Sequence, residues 1–303
     1  MCNVNSHQMK NSILSIVISV LFGLTTFAQE LSPYIKIGTS NKNIQEISKQ
    51  VIDVLESNSF TILGEYHPAG KEDLKIIAFT NDKLKNTVIK VKDRGALAAV
   101  YKVGLVKSDG KVTLSHTNPE YVLRAYLQNE FKKYPTTFTK FSTDLKTAFS
   151  SLGNEFTPFG GTVDIDDLKK YHYIIMMPYF TDPIVLNEFA SFEEGLKIIK
   201  ANLNARKGNT KLVYELVFKS EEVAVFGVGL ECPEEGESVF LPTIGEAHAA
   251  ALPYEIILQG KQVTMLHGKY RIALFWPDLT MGTFMKIMST PGNIEDALEE
   301  VCQ

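Results

Sequence analysis

The side chains best suited to chemistry are the imidazoles His67, His116, His172, His248 and His267 and the carboxylates beside them. Two of these imidazoles sit in look-alike tetrapeptides, Gly64-Glu65-Tyr66-His67 and Gly245-Glu246-Ala247-His248. A carboxylate two residues from an imidazole is raw material for general acid–base work. The two tetrapeptides fall on different elements, however, a strand end and a short helix, so their likeness implies no shared geometry. His172 with Met176 and Met177, and Met265-Leu266-His267, pair imidazole with thioether, a soft donor set that suits copper or haem. A half-buried strand produces the same alternation, and no metal is assigned to either. Asp164-Ile165-Asp166-Asp167 lacks the glycine and terminal glutamate of a calcium loop and reads as a helix cap. Gly227-Val228-Gly229 lacks the third glycine of a dinucleotide fingerprint. The chain carries no GxxxxGK[ST], HExxH, CxxC, GxSxG or EF-hand pattern. These residues therefore yield no catalytic residue, no metal ligand set and no cofactor.

Two further groups have readable spacing. Met281, Phe284, Met285 and Met288 fall on one helical face, which suits core packing or a methionine-lined groove. Cys232 and Cys302 are candidates for a disulfide if the C-terminus folds back in an oxidising compartment. In the chain-entropy model a loop of that length adds about 4 kcal/mol.

That compartment is inferred from the N-terminus. Lys10 precedes an uncharged run, Ile13–Phe27, which ends at Thr26-Phe27-Ala28. The run is short of the roughly 20 apolar residues of a membrane span. It fits the about 7–15 residues of a secretory leader, with small residues before the cleavage point. Residues 1–28 are expected to be a signal peptide cleaved after Ala28, leaving a periplasmic or secreted protein with no transmembrane anchor.

The elements that must position these side chains follow from periodicity. Hydrophobic residues make up 45% of the chain, charged residues 22%, and the net charge is −4. That composition excludes a disordered or polytopic membrane chain and gives no bulk positive field for nucleic acid. Ile44, Ile47, Val51 and Leu55 mark a helix. Phe60–Gly64 and Leu74–Phe79 read as strands, and Leu84, Val88 and Val91 as a helix. Leu97–Val106 and Val112–Leu114 form a hairpin around Asp109-Gly110, and Asn118-Pro119 opens another helix. The second half repeats this order, with a helix through Phe192, Leu196, Ile199 and Leu203. Strands follow at Leu212–Phe218 and Val223–Leu230, then a short helix at Ile244–Ala250 and a hairpin at Tyr254–Leu258 and Gln262–Leu266. Trp276-Pro277-Asp278 echoes Asn118-Pro119-Glu120, so Lys269–Phe275 is expected to be a lengthened strand. Between the halves, Thr136–Leu152 reads as a helix, Phe156–Gly161 as a breaker and Tyr171–Met177 as a β-prone run.

The helix Ile44–Leu55, the segment Ser59–Glu65 and Gly110-Lys111-Val112-Thr113-Leu114 leading into Asn118-Pro119-Glu120 together resemble the bacterial family known as domain of unknown function 302. Leu252-Pro253-Tyr254-Glu255-Ile256 is similar to a strand entry of the same family, which suggests a tandem duplication. The resemblance implies a compact α+β fold and supplies no catalytic residue.

The expectation is thus an α+β protein of two similar small-sheet domains with helices packed on one face of each sheet. They span 31–135 and 190–303, joined by a connecting region at 136–189, with apolar residues enough for two cores. Its expected role is non-catalytic binding of a small ligand or partner at the inter-domain cleft. Two alternatives are an enzyme whose acid–base groups (His67, Glu65, His248 and Glu246) meet only in the fold, and an envelope interaction module. Intact-mass measurement of the processed protein should show a chain starting at Gln29. Retention of residues 9–28 would contradict the leader assignment.

Overall fold

The computed structural model describes residues 29–303; the expected signal peptide lies outside them. In the first half, β1 (Glu30–Leu31) precedes β2 (Tyr34–Ser40), α1 (Ile44–Ser57), β3 (Thr61–Tyr66), β4 (Leu74–Thr80) and α2 (Asp82–Val88). A 3-10 turn, Gly95–Ala99, leads into β5 (Tyr101–Ser108), β6 (Lys111–Thr117), α3 (Pro119–Leu127), α4 (Pro135–Phe149) and β7 (Thr157–Phe159). After β8 (Val163–Asp164) the second half runs β9 (Ile184–Glu188), α5 (Phe192–Asn204), β10 (Thr210–Phe218), β11 (Val223–Leu230) and α6 (Glu237–Ile244). A second 3-10 turn, Glu246–Ala251, then precedes β12 (Tyr254–Gln259), β13 (Gln262–Met265), α7 (Gly268–Phe275), α8 (Met281–Phe284) and α9 (Thr290–Cys302).

The architecture is α+β, with two antiparallel sheets of the same topology. The first has strand order β3-β4-β5-β6-β2-β7 and the second β10-β11-β12-β13-β9. Each half places its first long strand beside its last, inserts a helix after that strand and a 3-10 turn before the central hairpin. Even the irregularities correspond. Leu63 bulges from β3 against β4, and Val213 bulges from β10 against β11. Such bulges re-aim a strand locally, and here they lie where β3 and β10 meet across the junction.

Local chemistry explains the helices. The Asn43 side chain accepts from Glu46 N at 2.9 Å and starts α1. Ser191 accepts from Glu194 N, while Glu194 accepts from Ala190 N, which fixes the start of α5. Asn118 caps α3 with Pro119 at its first position. Ile44, Ile47, Val51 and Leu55 are buried along α1, each worth roughly 1.5–3 kcal/mol.

Several expectations are corrected. Lys269–Phe275 is not a strand but α7, the counterpart of α3. Every residue of α7 except Lys269 is buried, so no polar face marks it as helical and its apolar run imitates a strand. Tyr171–Met177 is a turn-bearing loop, since its apolar side chains point out instead of alternating into a sheet. The Phe156–Gly161 breaker contains β7, a short edge strand on β2. Within 136–189, α4 packs on α1, α2 and α3, whereas β9 pairs with β13. The buried apolar residues form one continuous cluster across both halves instead of two separate cores.

Gly64 sits where β3 passes β10, and a Cβ there would overlap the Val213 carbonyl. Gly64→Ala should therefore lower stability by about 3 kcal/mol, as overpacking against backbone does. Thermal unfolding checks this, and an unchanged Tm would contradict the close approach.

Candidate functional site

Two places in the molecule warrant a functional reading: the junction between the halves and an apolar surface beside it. The junction is built from reciprocal contacts, as across a two-fold axis. The turn Gly95–Ala99 packs on β11 and β12, and the turn Glu246–Ala251 packs on β4 and β5. Both turns are alanine-rich, and Ala96, Ala98, Ala99, Ala249, Ala250 and Ala251 are buried, which lets backbone approach backbone.

At the centre stand Lys102 and Glu255. Each is the second residue of its central strand, following Tyr101 and Tyr254 respectively, so they occupy matching positions of the two halves. Lys102 is ion-paired with Glu255. The other Glu255 oxygen pairs with Arg271 at 3.1 Å, and Tyr214 Oη donates to the carboxylate at 3.2 Å. Arg271 also donates to the carbonyls of Ala251 and Pro253 at 2.5 and 2.8 Å, with its guanidinium 3.8 Å from the Tyr254 ring centroid. Burial pushes the Glu255 carboxyl up, but Lys102 and Arg271 outweigh it and hold the group below its usual range. Burial, with Arg271 adding repulsion, holds the Lys102 ammonium below its usual value despite Glu255.

A second buried carboxylate bridges the halves. Glu237 at the start of α6 accepts from Tyr66 Oη and Ala69 N, both at 2.9 Å, and from Leu230 N at 3.3 Å. Burial pushes it up to about 7, against the three donors that favour its ionised form. Tyr34 Oη and Tyr121 Oη complete the seam by donating to the carbonyls of Phe275 and Leu274. These side chains and the aromatic core pack the centre of the junction.

The histidines do not assemble with carboxylates. His67 Nδ1 lies 2.6 Å from the Leu74 carbonyl, and His248 Nδ1 lies 2.7 Å from the Ile244 carbonyl. The His248 ring packs near Tyr34, Phe159 and Trp276. Glu65 pairs with Lys75, and Glu246 with Lys71. The Glu246 pair brings the loop after His67 to the second tetrapeptide, but as a lysine–carboxylate contact. Burial lowers His116 to about 4. His267 caps α7, and burial, helped by Lys269, lowers it. Among the described residues no group of three or more His, Cys, Asp or Glu side chains gathers as a metal site. Cys232 and Cys302 stand as two free thiols. Cys302 is buried in α9, where burial pushes its thiol up to about 12.

The apolar surface lies on the segment between β8 and β9 and on the residues after α7. A tight turn, closed by Met177 N donating to the Ile174 carbonyl at 3.0 Å, holds Ile175 86% and Met176 97% exposed. Tyr171 and Tyr173 pin this segment to the second half by donating to the Ala273 and Leu279 carbonyls. Tyr173 and Met177 line a narrow apolar slot of about 20 Å³ together with Met281 and Phe284. Met281, Met285 and Met288 are exposed, so the helical face seen in the sequence is a surface and not core. On the far side of Tyr173 an open, polar depression of about 610 Å³ is lined by Asp164, Asp167, Lys170, His172 and Tyr179.

Lys102, Glu255, Arg271 and Glu237 carried no sequence signal as a site, because no motif spaces them. The only available hint was a shared position, Tyr101-Lys102 and Tyr254-Glu255 at matching strand starts, and it becomes visible only once the halves are aligned by topology.

Two outcomes follow. Glu255→Gln leaves two buried cations facing each other and should cost about 3–5 kcal/mol, more than Lys102→Met, which keeps the Glu255–Arg271 pair. Equal losses in chemical denaturation would contradict this ordering. A carboxyl raised from 4.5 to about 7 holds a proton in the folded state that it loses on unfolding between those values. Stability should therefore fall by about 3 kcal/mol as pH rises through that window, then level off. Glu237→Gln should flatten the profile. A slope unchanged by that substitution would assign it to other groups.

No protein-family model matches this chain, and no curated protein matches it.

Proposed function

We propose that this chain is a non-catalytic, exported interaction module. In this reading it is a doubled unit of the kind suggested by the resemblance to domain of unknown function 302. The copies are fused so that one face of each is consumed in holding the other. Their joint product is a rigid platform that presents the isoleucine- and methionine-rich surface to a partner.

One observation carries the proposal: large apolar side chains stay out in water around the Ile174–Met177 turn and along Met281, Met285 and Met288. Contiguous exposed apolar patches on an otherwise well-packed protein mark interaction sites. Methionine suits such surfaces because its flexible thioether adapts to different shapes. The slot beside the turn, about 20 Å³, is far below the roughly 300–1,000 Å³ of small-molecule sites. That mismatch favours a surface partner over an enclosed ligand.

A second reading, binding of a small polar ligand, is favoured by the open depression over Tyr173. There the His172 and Tyr179 rings lie 4.4 Å apart among Asp164, Asp167 and Lys170.

The two readings separate in one experiment. Native mass spectrometry of protein taken from its own compartment should show an apolar partner that is lost in Ile175→Ser/Met176→Ser, with Tm unchanged. A stoichiometric small polar molecule that is retained in that variant and lost in His172→Ala would overturn the surface reading.

A further inference from the structure

We propose that the partner of the isoleucine–methionine surface is a lipid bilayer, into whose interface the Ile174–Met177 turn inserts. The inference rests on the interaction-surface reading above and identifies the occupant.

Shape is the first argument. The turn is a protrusion, with Ile175 and Met176 almost wholly exposed; the apolar slot beside it is about 20 Å³, and the open depression on the other side of Tyr173 is lined by Asp164, Asp167, Lys170 and His172. Tight protein–protein interfaces place their anchors in well-packed pockets. A convex apolar tip beside an apolar slot too narrow for a partner's anchor suits a fluid acceptor, which needs no preformed complement. The tip is also held out. His172 Nδ1 lies 2.8 Å from the Ile174 carbonyl, and Met176 adopts a left-handed φ of 69°, a conformation that side chains rarely adopt.

Side-chain chemistry is the second. Tyr179 stands 41% exposed with its ring on His172, and tyrosines favour the headgroup level, where a ring meets apolar chains and its hydroxyl meets water. Lys169 and Lys170 are each matched by a neighbouring aspartate, Asp166 at 3.7 Å and Asp167 at 3.4 Å. This near-balance makes the attachment hydrophobic instead of electrostatic, so anionic lipid should add little.

The test is flotation of a chain beginning at Gln29, which contains every element of both halves, with vesicles of phosphatidylcholine alone or mixed with phosphatidylglycerol. Co-flotation should be similar for both and should change little with salt. Ile175→Ser/Met176→Ser should reduce the bound fraction at least tenfold at unchanged Tm. In Met176→Trp, emission from the introduced side chain should shift to the blue on adding vesicles and be quenched by brominated lipid. If wild-type protein fails to float and that emission does not move, the lipid assignment is overturned. Should the apolar tip then cross-link to a polypeptide, or should the protein dimerise through it, the surface reading survives without the lipid. If neither occurs, both fall.

Discussion

The whole molecule depends on a charge placed where a carboxylate and an ammonium have almost no water. Lys102 and Glu255 occupy matching positions of two halves with one topology, and reciprocal contacts bring them face to face. Had both positions kept the same residue, two like charges would meet in the least solvated part of the protein. Unlike residues at one repeated position turn that repulsion into a pair. They also make each half a poor partner for a copy of itself, the usual form of specificity by penalising the wrong complex. Arg271 leaves the cluster with more cation than anion, and it is held by the Ala251 and Pro253 carbonyls and the Tyr254 ring.

A seam filled in this way has a consequence for function. The apolar cluster runs continuously across it, and Tyr34, Tyr66 and Tyr121 each donate across it. An inter-domain junction is a common place for a ligand, but here the side chains of the halves occupy it. The exposed apolar side chains lie at the periphery, where the segment between β8 and β9 rides on the second half. That segment is pinned by tyrosine hydroxyls at its base and apolar at its tip. The fold thus places an ion-paired cluster inside and leaves Ile175, Met176, Met281, Met285 and Met288 exposed outside. No helix among the described residues is long and apolar enough to cross a membrane.

Much of the scaffold was legible from spacing alone. The amphipathic helix α1, the Asp109-Gly110 hairpin and the paired strands of both halves follow from residue periodicity and turn chemistry. What misled was burial on all sides. The helix α7 has no polar face, so its apolar residues read as a strand, and Trp276 ends that helix while the next one starts only at Met281. The strands β2 and β9 pair only with residues far along the chain, β2 with β6 and β7 and β9 with β13, so no local hairpin marks them. The methionine face was visible as a face, but periodicity does not say whether a face is covered. Lys102, Glu255 and Glu237 were invisible for a different reason: a charged residue is buried only by what folds around it, and sequence spacing carries no record of that.

Calorimetry of the chain at a pH above 8, where Glu237 is ionised, tests the central claim that the buried network and its seam make the halves one unit. The account predicts a single endotherm whose calorimetric and van't Hoff enthalpies agree, as for one cooperative transition. Two resolved endotherms, one for each half, would show that the junction is an ordinary contact between independent domains and would contradict it.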